Sequence, residues 1–185
     1  DITHPINHHI RSWKKRNQDK YEITLAQNAT ELQGGDILFL VSCHEIIRAI
    51  ERSAYGATLV LHASDLPLGR GWSPHIWDIL NGSEKITLSL IEADDGLDSG
   101  RIWHQSIIQI PKHVLWNEIN QLLFSAELKV IDFVLTNFDK IVPHDQSPDI
   151  TPSYYKKRSP EDSEIDPEKS ISSQFDLIRI SDPNR

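Results

Sequence analysis

Apolar residues fall into short runs whose spacing predicts an alternation of strands and helices. The run 36–42, Asp-Ile-Leu-Phe-Leu-Val-Ser, is continuous rather than alternating. That is the pattern of a strand buried on both faces. Runs 57–61 and 86–93 read the same way, while 21–25 and 102–110 alternate as half-buried strands do. Between them, 10–17 and 43–53 read as short helices. Ser73-Pro74 is a helix start, since serine accepts from orphan N–H groups and proline suits the first turn; Asn81-Gly82 is the stop. The longest helix spans 114–138, with Leu115, Ile119, Leu122, Ala126, Val130 and Phe133 as its apolar stripe. Strand followed by helix, repeated, predicts an α/β fold: a mostly parallel sheet with right-handed crossovers and helices on both faces.

The 185 residues suffice for one domain with a sizeable core. A change of character near residue 143 divides the chain. Residues 1–142 form the core, and 143–185 carry five of the ten prolines between 143 and 167. The formal net charge of −8 argues against a broad nucleic-acid surface, and Lys14-Lys15-Arg16 reads as a solvated face. A single cysteine excludes an internal disulfide and suits a reducing, cytoplasmic setting. No apolar run reaches the ~20 residues of a membrane span. His4 and His8 are four apart, as metal ligands on a helix are, but no carboxylate or cysteine accompanies them, so no metal site is expected. No glycine-rich dinucleotide or triphosphate fingerprint is present.

The chemistry concentrates between 57 and 104. One strand ends at His62, and the next runs into Asp94-Asp95-Gly96-Leu97-Asp98-Ser99-Gly100. Open α/β sheets bind ligands at the carboxyl ends of their strands, where both groups fall. The set His62-x-Ser64-x-Leu66-Pro67, Arg70-Gly71, Pro74, then Asp94-x-Gly96-Leu97-Asp98-x-Gly100, with Asp98 following His62 by 36 residues, resembles the formyltransferases that use 10-formyltetrahydrofolate. Several motif positions at that spacing are far more specific than one short motif. Farther on, Thr151, Tyr154, Lys157, Glu161-Asp162, Ile165-Asp166 and Leu177-Ile178-Arg179 echo the segment that closes the family's catalytic domain, so the likeness runs from about 35 to the end. It implies the Rossmann-like formyltransferase fold, with 143–185 packing on the core.

The resemblance implies that His62 moves the proton of an attacking amine and that Asp98 holds the imidazolium or a relay water. Isolated, a histidine at a strand end is more often structural. By position, Cys43, His44 and Ile46 flank the pterin, with Leu97 and the backbone of 93–95 opposite; Asp94 and Asp95 shape that loop. Cys43 alone reads equally well as a small buried hydrophobe. Asn7 falls in the loop that meets the acceptor, and Arg70 and Trp72 lie near His62 on the acceptor side. The family's asparagine two residues before the histidine, which donates to the formyl oxygen, is Val60 here; valine has no donor. Thr58, Ser42, His44 or a water could supply the donor in its place.

Asp65 and the Gly-Trp-Ser-Pro run resemble the sugar N-formyltransferases more than the tRNA or purine enzymes, so a nucleotide-linked amino sugar is the expected acceptor. Transfer to glycinamide ribonucleotide and a non-catalytic, folate- or nucleotide-sugar-binding relative are the alternatives. A His/Asp metallohydrolase is disfavoured for want of a ligand set. The chain stops where the tRNA enzyme of the family would begin its C-terminal barrel, which with the acidic balance argues against tRNA. Helix 114–138 leaves a homodimer contact open beside a purely internal role.

Overall fold

The structure, a computed structural model, describes residues 3–182, so the outermost ends of the two expected segments lie outside it. Four strands form the main sheet: β1 (Gly35–Leu40), β2 (Tyr55–His62), β4 (Lys85–Glu92) and β5 (Ile102–Gln109), in the order β1-β2-β4-β5. A two-stranded sheet joins β3 (Arg70–Gly71) to β6 (Tyr154–Tyr155). The helices are α1 (Ile6–Asn17), α2 (Ala49–Arg52), α3 (Pro74–Leu80), α4 (Trp116–Asn137) and α5 (Phe175–Ile180). None is long and apolar enough to cross a membrane among the described residues.

The sheet is mixed. β1 and β2 run parallel, as expected, but β4 runs antiparallel to β2, and β5 antiparallel to β4. The expectation of a mostly parallel sheet therefore fails on its second half. Apolar runs such as 86–93 look alike in either direction when both faces are covered.

Alternation sorts the side chains. Leu59, Leu61, Ile86, Leu88, Leu90 and Ile108 turn to the face covered by α1, α3, α4 and α5, where the core closes. The register His62↔Ser89↔Gln105 puts these three in one polar row on the opposite face. Beside that row Val60 packs on Leu66, Ile91 and Ile102.

Five local expectations change. Residues 21–25 pair with no strand, and Thr24 and Leu25 are exposed. α1 begins at Ile6, so Asn7 lies in its first turn, with its N–H donating to the His4 carbonyl, and not in a loop. The helix expected over 43–53 shrinks to α2, leaving 41–48 as a loop. Ser73 makes no side-chain cap bond; its φ of 45° is left-handed. The stripe of α4 is also rotated: Ile119, Leu123, Glu127, Val130, Ile131 and Val134 are buried, whereas Leu115, Leu122 and Phe133 are exposed. Apolar residues lie around much of this helix, so spacing alone could not choose the face.

Residues 143–182 pack on the rest of the chain. Ile102 and His144 exchange backbone hydrogen bonds of 2.7 and 3.0 Å, β6 pairs with β3, and α5 packs on α3 and α4. The side chain of Arg179 is buried, donating to Asp176 and to the Pro111 carbonyl.

Candidate active site

β2 delivers His62 to the end of the sheet, where the chain turns into the loop 63–69. The ring is buried, and its Nε2 lies 3.0 Å from the Gly69 carbonyl oxygen and 3.7 Å from Oδ2 of Asp98. A carbonyl only accepts, so Nε2 carries a hydrogen. Oδ2 of Asp98 also accepts the Gly71 N–H at 2.8 Å. Asp98 has a left-handed backbone, φ 49°, which is uncommon for a residue with a Cβ and marks a conformation held by its surroundings.

The loop that supplies Gly69 and Gly71 is held by the C-terminal segment. Gly69 N–H donates to Ser153 Oγ, Arg70 N–H to the Ser153 carbonyl and Trp72 N–H to the Tyr155 carbonyl. A Cβ on Gly71, at φ 99°, would overlap the Tyr155 carbonyl oxygen, so only glycine allows this approach. Below it, Tyr155 donates to Asp78 at 2.8 Å. Burial raises the Asp78 carboxyl above the ordinary range against that hydrogen bond. His75, on α3, is driven down to about 4 by burial and by the imidazoles of His62 and His4, so it stays neutral near pH 7.

Two further loops flank the strand ends. Arg52 ties them together, with Nη1 donating to the Ile47 carbonyl at 2.7 Å and Nη2 to Asp95 at 2.5 Å. Asp94 serves its own loop, accepting from Gly96 N–H and Ser99 Oγ. On these tied loops Ile46 is 86% exposed and Leu97 60%, two large apolar side chains facing solvent. Cys43 is exposed rather than buried, and its Sγ contacts the Glu45 carbonyl. His44 packs its ring 5.2 Å from that of Trp72, and Lys157 places its ammonium 4.9 Å from the Trp72 ring on the same rim.

The structure thus brings His62 and Asp98 together, His44 against Trp72, and Asp95 beside Ile47 through Arg52. Arg70 joins through Gln146 and Tyr154. Asn7, expected in a loop, belongs to α1. At Val60 the side chain packs into the apolar cluster, while the hydroxyls of Thr58 and Ser64 are buried without a partner. Sequence reasoning missed Gln146, Ser153 and Asp78: each acts across 46 or more residues of chain, and no local pattern announces such a contact. Among the described residues, no group of three or more His, Cys, Asp or Glu side chains is arranged to hold a metal ion.

An α/β core with a histidine and an aspartate meeting at its strand ends has relatives. The formyl transferase family model matches residues 3–135, and the chain belongs to that family. A methionyl-tRNA formyltransferase from Rickettsia bellii is 31% identical over 114 residues, 60% of this chain and 37% of that protein, so the chain spans well under half of that relative. The solved methionyl-tRNA formyltransferase from Clostridium thermocellum is 28% identical and superposes with a TM-score of 0.81 over 96% of this chain and 79% of the other. The N-formyltransferase from Helicobacter canadensis, solved with folinic acid and dTDP-3-aminofucose, shares the fold at 19% identity, with a TM-score of 0.69 over 90% and 61% of the two chains.

Proposed function

We propose that the protein is an N-formyltransferase that moves a formyl group from 10-formyltetrahydrofolate to a primary amine, the amine of a nucleotide-linked amino sugar. The observation that carries this reading is the buried His62 ring held between the Gly69 carbonyl and the Asp98 carboxylate at the strand ends. The folate donor supplies the electrophilic formyl carbon. Ile46 and Leu97, exposed on two loops tied by Arg52, fit the walls of a slot for its flat pterin. As the amine nitrogen bonds the formyl carbon, His62 takes the proton that the amine loses and Asp98 stabilises the resulting imidazolium; the bond from the formyl carbon to N10 then breaks and that proton goes to N10 of the departing tetrahydrofolate. Gly71 N–H holds the carboxylate by its Oδ2, so its orientation does not depend on the substrate. The acceptor enters past Trp72 and Arg70. An aromatic face with Lys157 and Arg70 beside it suits a base and a diphosphate. We place this work in the cytoplasm, with the folate pool, and without nucleic acid.

A second reading takes the methionyl amine of initiator tRNA as acceptor, favoured by relatives at 28–31% identity that carry that name. One experiment separates the two. The protein is incubated with 10-formyltetrahydrofolate and either a panel of nucleotide-linked amino sugars or methionyl-tRNA, and formyl adducts are read by mass spectrometry. An adduct on a sugar supports the first reading, and one on the tRNA alone replaces it with the second. No adduct on either, with folate still bound in calorimetry, would leave a binding relative impaired at Val60.

A further inference from the structure

Gln146 joins three parts of the site that are far apart in sequence. Its Nε2 donates to the backbone carbonyls of Asp98 at 2.8 Å and Gly100 at 3.0 Å. Its Oε1 accepts from Nη2 of Arg70 at 2.7 Å. The surroundings fix the amide orientation: two carbonyls require donors and a guanidinium requires an acceptor, so the flipped amide would lose all three bonds. The backbone is fixed too, because the antiparallel bridge between Ile102 and His144 sets Gln146 two residues farther along, alongside Gly100.

The residue held by this clamp is Asp98. Its left-handed backbone must be kept in place by neighbours, and its carboxylate direction follows the peptide planes on either side. The two Nε2 bonds grip its own carbonyl and the one two residues on. Turning the carboxylate away from His62 by backbone rotation would break them.

We infer that Gln146 is a positioning residue that keeps the Asp98 carboxylate aimed at His62 and links it to Arg70 on the acceptor side. Its kinetic consequence rests on the formyl-transfer reading; the clamp does not.

Gln146→Glu separates the two halves. A carboxylate keeps an acceptor for Arg70 and loses both donors to the carbonyls. The variant should lower kcat by up to about 10²-fold, the scale of a small misplacement of a reacting group, with acceptor KM unchanged within about threefold. Amide hydrogen exchange on the ligand-free protein gives a reading without activity: residues 97–101 should exchange about tenfold faster or more, with β4 still protected. Gln146→Met, which also removes the acceptor for Arg70, should match it in kcat and in exchange at 97–101 and should raise acceptor KM besides. Wild-type exchange at 97–101 in both variants would overturn the inference, as would a rise in acceptor KM with kcat retained, or a loss of protection throughout β4 in both. If the wild-type protein formylates neither acceptor, the functional reading fails and the exchange data alone decide the clamp.

Discussion

The Nε2 atom of His62 is nearer the Gly69 carbonyl, at 3.0 Å, than the Asp98 carboxylate, at 3.7 Å. The neutral ring must therefore be the Nε2–H tautomer, since the Gly69 carbonyl has nothing to donate. Long-range proton–nitrogen correlation spectra of the ligand-free protein at alkaline pH should show protonated Nε2 and bare Nδ1 for His62. The opposite tautomer would mean that the Gly69 contact is not a hydrogen bond.

His62→Asn and Asp98→Ala should each reduce turnover by about 10²–10⁴-fold, the usual contribution of a general base and its support. Folate affinity by calorimetry should stay within about threefold of wild type, because neither side chain is expected to line the pterin slot. Near-normal turnover in either variant would remove that residue from the mechanism.

Trp72 contacts the His44 ring and the Lys157 ammonium and is 39% exposed, so part of its side chain is open to a ligand. Trp72→Ala should raise acceptor KM by about tenfold, the scale of a lost stacking contact, with folate affinity little changed. An unchanged KM would make Trp72 part of the wall and not of the acceptor site.

Gly71→Ala should lower stability by at least about 1–3 kcal/mol, since alanine meets both a positive φ and the Tyr155 carbonyl. It should also loosen the N–H that holds Asp98. Urea melts read the first effect. Turnover well below the folded fraction reads the second.

Glu127 lies in the buried stripe of α4, with Oε2 unpartnered, and burial pushes its carboxyl up to about 8. In the unfolded chain it ionises near 4.5. Between these values the unfolded state holds one proton fewer, so stability falls as pH rises from about 4.5 to about 8 and then levels off. The loss is at most several kcal/mol, on the scale of about 1.4 kcal/mol per pKa unit. Glu127→Gln removes the slope: it should melt well above wild type at pH 8 and close to it at pH 5. Equal melting points at both values would show that the carboxylate finds a partner when charged.

Much of the architecture was legible in the residue pattern. The strands ending at His62 and Glu92, the helix opening at Pro74 and the long helix before Asn137 follow from local signals that physics reads locally. Residues 21–25 were not, because alternation does not guarantee a partner strand. The direction of β4 was not, because a doubly buried strand carries no directional mark. In the site, the family motif located His62 and Asp98, but what holds them is non-local: Gly71 reaches Asp98 across 27 residues, Gln146 reaches it across 48, and Ser153 reaches Gly69 across 84. Hydrogen bonds of that span leave no periodicity, and the proline density of their segment suggests an unstructured tail when read alone.

Ser153 and Tyr155 hold the loop whose Gly69 carbonyl meets the His62 ring, so the histidine's setting is finished by residues made long after it. All four strands of the main sheet precede Ser153 and Tyr155 in the chain, so the loop has these anchors only once the chain has reached Tyr155. A chain ending before that point would carry His62 and Asp98 and still lack the bonds from Ser153 and Tyr155 that hold the loop. The order of the chain thus puts the anchors of the histidine's loop after the strands that carry the histidine.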